Sequence, residues 1–590
     1  MTPPHTPIAA QSALVPHGEV IPQKAILLYQ QPSSGFSLDH QESLYFQLFQ
    51  SHTASELSGF FDNIFWSRTV LQECRSEAAI KHAVVALGAL YKTLEKSSES
   101  PPSSPSEAMD PIDNPYRHWE VALKQYSNAC VALANVTSQD QRMHRTRLMA
   151  SVLLACFDSF IGDHKQAIVQ IQTGLGLLEQ LRAERRRAFV PKPEEPVEDE
   201  LIQMFTRLAI QAKSYDMAFH FPQPYVIHLL PQSTDPSSPP SDAGSPVSTH
   251  QEPIPERFAT LLDARIAWDT LCERIFRFTE TMFQYANGPP NLLPQSMTQY
   301  GIQFKGQIQE WSDAFEPLLA SRTAPGVSSQ EKAGIAVLKM FQIMGQILYL
   351  MTFSHSEMQF DSFQAQFKAI VDLALEVVGD EERRAAEKKG CSDPRFCHHH
   401  RGHGSDIFGG FEYAARHIKP SFSADLGIVP PLYVVATKSR DAHIRRQAIQ
   451  LLRSSARREG MWDSELMARI GMWVTEIEEE EDLVTPESSP VAAMAAVARP
   501  ATGGSPHGSV DFGEAPLGPG GNARWDARRE SHATLLAARS PRRPVPAEKR
   551  IMIKACEFDL REHTATLQCG TRGLRPGMPD IKTRVTQIIW

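Results

Sequence analysis

The sequence has few cysteines and no large excess of charge of either sign. Its 590 residues include 8 Cys, too few for a disulfide-built scaffold, and most of them lie in apolar helical patterns, as reduced core thiols of an intracellular protein do. The 59 Lys and Arg against 68 Asp and Glu give a net charge of −9. That balance excludes a histone-like protein that binds nucleic acid through bulk positive charge.

Targeting and membrane signals are also missing. The N-terminal stretch has no basic region followed by an unbroken apolar run, so we expect no secretory signal. The most hydrophobic stretch, residues 334–353, is long enough to cross a bilayer. It contains Lys339, Gln342 and Gln346, which are costly in lipid. We therefore predict a buried core helix here and no membrane partner.

Motifs of the common catalytic sites are absent as well. The sequence has no phosphate-binding P-loop, no dinucleotide-binding glycine pattern and no zinc-protease helix motif. Ser505 and His507 lie in a stretch with the composition of a disordered tail, where no scaffold holds a nucleophile beside a base. The acidic run 476–482 fits a charged helix end better than a metal site. We predict no catalytic residues, no cofactor and no enzyme activity.

One segment carries residues of the types that bind zinc in proteins. Thiolates and imidazoles are the usual ligands of this metal, and the segment contains Cys391, Cys397, His398, His399, His400 and His403. The spacing is poor, because structural sites usually have paired ligands two to four residues apart. We interpret the segment as a solvated loop and predict no metal site, with zinc binding as the alternative.

Composition divides the chain into helical parts and stretches rich in Pro, Ser, Gly and Ala. Low hydrophobicity with dense Pro and Ser predicts disorder. The predicted units are a disordered N-terminal segment (1–45), the first half of a helical domain (46–230), a disordered linker (231–256), the second half with a loop insertion at 380–404 (257–482), a second disordered linker (483–550), and a β-hairpin with a tail (551–590).

Apolar residues recur at steps of three and four along the two helical halves, most regularly from Leu261 to Met282. Two helices joined near Gly162 are typical of an αα-hairpin. The period changes near the end, where 554–560 and 562–569 predict two strands. Because two strands alone are marginally stable, they must pack on the helices or pair elsewhere. The predicted fold is all-α: a multi-helix antiparallel array or bundle with disordered linkers and a short C-terminal β-hairpin.

Three stretches resemble a known family. They are 56–91, 153–181 and, most specifically, 427–474, which contains G-I-V-P-P-L, A-T-K-S-R-D, I-R-R-Q-A-I-Q-L-L and R-R-E-G-M-W-D. Together they resemble the regulatory region of fungal zinc-binuclear-cluster transcription factors, over roughly 44–473 and the C-terminal hairpin. The resemblance implies a helical regulatory domain with a role in transcription.

The residues of the third stretch also have a physical interpretation. Pro430 and Pro431 are predicted to break a helix before a buried apolar segment, 432–436. Helical spacing then predicts an inward face formed by Ile444, Ala448, Leu451 and Leu452, and an outward face formed by Arg440, Arg445, Arg446 and Arg453.

The departure from the family concerns DNA. Family members bind DNA through six N-terminal cysteines that hold two zinc ions, whereas the first cysteine here is Cys74. Residues 1–50 contain one Lys, Lys24, and no Arg, so phosphate contacts are not expected there. We expect the chain to lack the zinc-cluster DNA-binding domain and to make no direct DNA contact; an incomplete N-terminus is the alternative.

The leading hypothesis is a nuclear transcriptional regulator of a metabolic or secondary-metabolite gene cluster. It would act through protein partners, either a DNA-binding relative or a second copy. The basic segment 541–550 is interpreted as a nuclear import signal or as a solubilising linker. The alternatives are a cytosolic helical scaffold and a protein that senses a small-molecule effector. Candidate lining residues for the effector, for which plain core packing is the other interpretation, are Trp268, Phe278, Phe341 and Tyr349.

Overall fold

The computed structural model describes residues 38–61, 64–97, 114–135, 141–187, 199–219, 253–286, 295–352, 354–391, 417–479, 544–574 and 578–590. Most of these residues are helical, and the remaining regular structure is two small sheets, so the predicted fold class is confirmed. One hydrophobic core runs through both helical halves and reaches the C-terminal sheet. The sheet is therefore part of the helical body.

The first half contains eight helices among the described residues. Their bounds are α1 (His40–Leu48), α2 (Ala54–Ser58), α3 (Val70–Glu73), α4 (Ala78–Ser97), α5 (Pro115–Ala134), α6 (Gln141–Ile161), α7 (His164–Arg187) and α8 (Asp199–Phe219). Asp39 caps α1 by accepting a hydrogen bond from the Glu42 N–H at 2.6 Å. The π-helical turns Phe49–Thr53 and Phe65–Thr69 lead into α2 and α3, which the sequence did not predict.

The predicted αα-hairpin is confirmed at α6 and α7. Gly162 ends α6 with a φ of +87°, a conformation that costs glycine little. The Asp163 N–H donates to the Asp158 carbonyl at 2.8 Å and closes the turn. A Cβ at Gly162 would lie 2.8 Å from the Leu560 Cβ. The turn therefore needs glycine for two reasons, its backbone conformation and its contact with the C-terminal sheet.

The second half contains the remaining helices and a small sheet. The helices are α9 (Leu261–Ala286), α10 (Gln295–Ser321), α11 (Ser329–Met351), α12 (Gln364–Lys388), α13 (Val429–Lys438), α14 (Ala442–Arg453) and α15 (Ser464–Glu479), with a 3₁₀ turn at Glu357–Phe363. The strands are β1 (Ser421–Ser423), β2 (Arg457–Glu459) and β3 (Trp462–Asp463). Strand β1 pairs in parallel with β2, which pairs antiparallel with β3.

Two predictions in this half need correction. Helix α12 continues to Lys388, so the first residues of the segment predicted as a loop insertion at 380–404 are helical. Glu382 and Ala386 are buried on that last part of α12, and this packing extends the helix. Pro430 and Pro431 do not break a helix; they form the first turn of α13, where a missing N–H costs nothing. The segment 432–436 is buried, as predicted.

Among the described residues, α11 alone is long and apolar enough to cross a membrane. In the most apolar window of this helix, 61% of the residues are buried inside the protein. It packs against α9, α10 and α12. The Lys339 ammonium donates to the Ser312 hydroxyl at 2.7 Å and lies 4.0 Å from the Glu316 carboxylate. Helix α11 is a core helix in this structure.

The C-terminal sheet has three strands, one more than predicted. They are β4 (Met552–Asp559), β5 (Thr564–Gly570) and β6 (Arg584–Ile589), antiparallel in the order β4-β5-β6. The predicted hairpin is β4 and β5. The predicted linker 483–550 also needs correction at its end, since Val545 and Arg550 are buried against the body.

Candidate functional site

The two most specific motifs of the sequence meet in the core. Glu459 belongs to R-R-E-G-M-W-D, and its carboxylate accepts hydrogen bonds from the N–H groups of Gly427, Ile428 and Val429 at 2.8, 3.0 and 2.9 Å. These N–H groups start α13, so the carboxylate caps the positive end of that helix. A Cβ at Gly427 would lie 2.5 Å from Glu459 Oε1, which explains the glycine that opens G-I-V-P-P-L.

The Glu459 carboxyl is only 3% exposed. Burial raises its pKa to about 7, although Arg457 and the three backbone N–H groups act in the opposite direction. The side chain therefore holds its position at a cost in desolvation, which the three hydrogen bonds offset. Its role here is to position α13.

The turn of residues 457–463, which we call the R-R-E-G-M-W-D turn, contacts several helices. Gly460 has a φ of +56°, and a Cβ there would overlap the Gln211 side chain of α8. The Trp462 ring packs edge-on against Tyr433 of α13 and Tyr215 of α8, with ring centroids 5.7 and 5.6 Å apart. The motif thus joins the first helical half to the second.

Its two arginines extend these contacts. Arg457 pairs with Glu381 of α12. Arg458 pairs with Asp463 at 3.1 Å and donates to the Phe160 carbonyl at the end of α6, at 2.8 Å. The latter bond satisfies a carbonyl at a helix C-terminus, where a positive charge is also favourable.

A second buried charge cluster lies at the start of the second half. Asp269 accepts from Arg207 of α8 at 3.1 Å and from Arg265 of α9 at 2.9 Å. Arg265 also donates to Asp425 at 3.0 Å, and Arg207 lies 3.7 Å from Asp425. Two cations and two anions are balanced here. The cluster fixes the loop before α13 to α8 and α9.

A third cluster fixes the C-terminal sheet to the helices. Glu478 of α15 pairs with Arg445 of α14 at 2.6 Å and with Arg550, just before β4, at 2.7 Å. All three side chains are buried. The prediction that Arg445 faces out is therefore wrong. Helical spacing could not reveal the partner carboxylate, because it lies 33 residues further along the chain. Glu478 also belongs to the acidic run that was predicted to be a charged helix end, and it lies in the last turn of α15.

A neighbouring carboxylate adds a second attachment. Glu357 accepts from Lys438 at 3.2 Å and from Arg572, after β5, at 2.9 Å. Arg572 also donates to the Met351 and Ser354 carbonyls at the end of α11, at 2.6 and 2.8 Å. Burial raises the pKa of Glu357, but Lys438 and the nearby arginines outweigh it and hold the pKa below its ordinary value.

The sheet also contacts the α6–α7 turn. His164 is 5% exposed, and its ring lies 4.9 Å from the Phe558 ring of β4. Burial lowers the pKa of His164 to about 4, with Lys165 acting in the same direction. Asp163 lies 3.4 Å from Arg561 of the β4–β5 turn. Between the two turns is an open pocket of about 260 Å³ with polar walls.

The candidate effector-lining residues do not surround that pocket. Trp268 packs on Trp311, with ring centroids 5.1 Å apart. Phe278 lies 5.5 Å from Phe304, Phe341 lies 6.3 Å from Phe61, and the Tyr349 hydroxyl donates to the Gly301 carbonyl at 2.5 Å. Each of the four contacts neighbouring side chains or backbone in the packing of α9, α10 and α11.

The Cys- and His-rich segment, for which zinc binding was the alternative interpretation, lies mostly outside the described residues. Only Cys391, directly after α12, is described, and it is half-buried. The positions 397–403 and the nucleophile–base pair at 505 and 507 lie outside the described part of the chain. Within the described ranges, no group of three or more His, Cys, Asp or Glu side chains is placed to hold a metal ion.

Sequence reasoning missed Glu459, Glu478 and Arg550 as organising residues. No local signal marks the first, because its hydrogen-bond partners lie about 30 residues earlier in the chain. No local signal marks Arg550, because its partners come from α15 and α13.

Comparison with known proteins identifies a curated relative. No protein-family model matches the chain, and no solved structure matches it. A curated protein is 23% identical over 465 residues, covering 70% of each chain: the aspercryptin biosynthesis cluster-specific transcription regulator of Emericella nidulans. That relative is a transcription regulator. Over most of its length, the chain is similar to a fungal cluster-specific regulator of transcription.

Proposed function

We propose that the protein regulates transcription in the nucleus, controlling a metabolic or secondary-metabolite gene cluster through contacts between its helical body and protein partners. The observation that carries the proposal is the similarity to a cluster-specific transcription regulator over 70% of both chains. A match of this extent includes the helical body and not one isolated motif.

The positions of the motifs support the same proposal. The stretch with the most specific family resemblance supplies the cap of α13 and the R-R-E-G-M-W-D turn. These residues build the body, so the resemblance concerns the architecture of a regulatory domain. Fold likeness alone does not assign a function, and the name of the relative therefore carries the functional part of the proposal.

Contact with promoters is proposed to be indirect. Residues 1–50 contain one Lys, Lys24, and no Arg, and a stretch that binds DNA phosphates needs several such residues. In this proposal, a partner that carries its own DNA-binding domain makes the contact with the promoter. The helical body would then bind that partner.

Chromatin immunoprecipitation of the tagged full-length protein, combined with its localisation, tests the proposal. We expect nuclear protein and enrichment at the promoters of a group of neighbouring genes, with the enrichment lost when the DNA-binding partner is deleted. An untagged strain is the control. A cytosolic protein with no enriched promoter would contradict the proposal and favour the scaffold alternative.

Effector binding is a second candidate, favoured by the pocket between the α6–α7 turn and the β4–β5 turn. Its walls include Asp163, Lys165 and Arg561, charges that suit a small charged metabolite rather than an apolar one. A specific ligand should raise the melting temperature with concentration. The rise should disappear in Arg561→Ala; a rise that persists in this variant would place the ligand elsewhere.

A further inference from the structure

The C-terminal sheet has an unpaired edge with an apolar margin. Strand β6 pairs with β5 on one side, and no described strand pairs with its other side. On the outer face, β4 and β5 present polar residues such as Glu557 and Thr566. The large exposed apolar side chains of the three strands lie on β6, where Val585 is 63% exposed and Ile589 57% exposed. Ile581, just before the strand, is 96% exposed.

This edge carries few of the devices that keep sheet edges from pairing. The strand R-V-T-Q-I-I has no proline and, apart from Arg584 at its start, no charge. The pairing with β5 is regular over its whole length, without a bulge. Natural proteins usually protect such an edge with charge, proline or a bulge. An unprotected edge with exposed β-branched residues is typical of a surface that accepts another strand.

The hydrogen-bond pattern shows which backbone groups point outward. The Trp590 N–H donates to the His563 carbonyl at 3.0 Å. In an antiparallel pair, hydrogen-bonded positions alternate, so the even-numbered residues of β6 bond to β5. The N–H and C=O groups of Val585, Gln587 and Ile589 therefore point to the open edge. The same three residues have their side chains on the outer face.

We propose that this edge pairs with β6 of a second copy of the chain, antiparallel and two-fold symmetric about Gln587. That register sets Gln587 opposite its own copy and Val585 opposite Ile589 of the second chain. All three outward positions then become hydrogen-bonded pairs, giving about six backbone bonds between the chains. The exposed apolar side chains of the two copies then meet on one face, and the two three-stranded sheets form one six-stranded sheet.

Charge selects the same arrangement. Arg584 is the charged residue of β6, and a parallel pairing would bring it near its own copy. The antiparallel register about Gln587 instead sets Arg584 opposite Trp590, a favourable neighbour for a guanidinium. The proposal does not depend on the role in transcription, because the pairing follows from the sheet alone.

The small contact area limits the expected affinity of the dimer. Stable interfaces bury about 1,200–2,000 Å², and one pair of six-residue strands covers less than that. We therefore expect a reversible dimer with a Kd in the range of roughly 1–100 μM. Sedimentation of the full chain across that concentration range should show monomer and dimer in exchange. A chain that stays monomeric throughout would overturn the proposal.

A proline at the centre of the edge tests the register. Gln587→Pro removes the outward N–H and leaves the bonds to β5 in place, as edge prolines do. Gln587→Thr is the matched control, because it changes the side chain and keeps the N–H. We expect dimerisation to weaken at least tenfold in the proline variant and to persist in the threonine variant, with melting temperatures confirming that both fold. Dimerisation that is equal in the two variants would overturn the proposal.

A cysteine at the same position tests the symmetry. Hydrogen-bonded antiparallel positions have Cα atoms about 5.5 Å apart, within disulfide reach. Gln587→Cys should therefore crosslink two chains under mild oxidation, and Thr566→Cys, beside it on β5 and away from the edge, should not. Crosslinking of the Thr566 variant alone would contradict the two-fold arrangement, and so would no crosslinking of the Gln587 variant.

Discussion

At the scale of single residues, buried charges connect parts of this molecule that are far apart in sequence. Arg445, on a helix with a clear apolar stripe, is fully buried between Glu478 and the Ser439 carbonyl. Charged side chains are almost never fully buried unless they are paired. Helical spacing alone therefore predicts that such an arginine is exposed, because it does not reveal the partner. A buried pair need not add much to stability, but removing one partner leaves a costly unpaired charge.

The capping carboxylate of α13 gives the first prediction. Glu459→Ala leaves three buried N–H groups without an acceptor, at a cost of about 1–3 kcal/mol for each group. We expect hydrogen exchange of the amides of residues 427–429 to be at least 100-fold faster, since a loss of about 3 kcal/mol corresponds to that factor.

A matched variant separates the cap from the volume of the side chain. Glu459→Gln keeps one acceptor oxygen and nearly the same shape, so its exchange should lie between that of the alanine variant and the original. Unchanged exchange in Glu459→Ala would show that the carboxylate does not hold the start of α13.

His164 gives a prediction for pH. Its folded pKa of about 4 lies below the ordinary value of 6.5, so the unfolded chain takes up a proton first as the pH falls. The stability that depends on neutral His164 is present above about pH 6.5 and is lost towards pH 4, by roughly 3 kcal/mol. The charged groups facing it are Asp163, Lys165, Asp559 and Arg561.

Asp158 and Glu459, whose pKa values are raised to about 7, make the protein more stable as the pH falls. They do so in both the original protein and His164→Gln, so the difference between the two proteins isolates the effect of His164. As the pH falls from 6.5 to 4, the free energy of unfolding of the original protein should fall relative to that of the glutamine variant by roughly 3 kcal/mol, which denaturant unfolding of both proteins measures. Identical slopes in the two proteins would remove His164 as the cause.

At the scale of elements, helices were predictable and short strands were not. The apolar stripe from Leu261 to Met282 predicted α9, and the break at Gly162 predicted the α6–α7 hairpin. Both predictions were possible because helical periodicity and a turn glycine are visible in the local sequence. Strands β1 to β3 have two or three residues each, too few for an alternation to be visible. Strand β6 was missed because its outward residues are as apolar as its inward ones, which hides the period of two.

The candidate site was predictable only in part. The sequence identified R-R-E-G-M-W-D and G-I-V-P-P-L as specific, but not that the first caps the second. That contact joins residues about 30 apart across the β1–β2 region, and such a pairing follows from tertiary packing and not from local pattern.

The attachment of the C-terminal sheet gives the prediction at this scale. Arg550 and Arg572 fix the sheet to α15, α13 and the end of α11. After cleavage at a specific protease site introduced within 510–520, the C-terminal fragment should co-elute with the body. Arg550→Ala should release it, because breaking a buried pair costs about 3–5 kcal/mol.

The exposed neighbour Glu548 supplies the control, and Glu548→Ala should keep the fragment bound. Release of the fragment without any substitution would mean that the buried clusters do not hold the sheet. Retention in Arg550→Ala would mean that the apolar contacts suffice without the arginine.

At the scale of the whole molecule, two helical halves and a sheet share one core. Buried residues from Tyr45 to Ile588 belong to a single cluster, and three groups of buried charges cross its boundaries. Over 70% of its length the chain is similar to a cluster-specific transcription regulator, in line with the proposed role in transcription.

Transcript profiling of the source organism provides the decisive measurement for the proposed role in transcription. RNA levels would be compared among a strain lacking the gene, the parent strain, and the deletion strain with the gene restored. We predict a coordinated change in the transcripts of a neighbouring group of biosynthetic genes, reversed on restoration. Transcripts that stay unchanged under conditions in which the parent strain makes the protein would contradict a role in regulation.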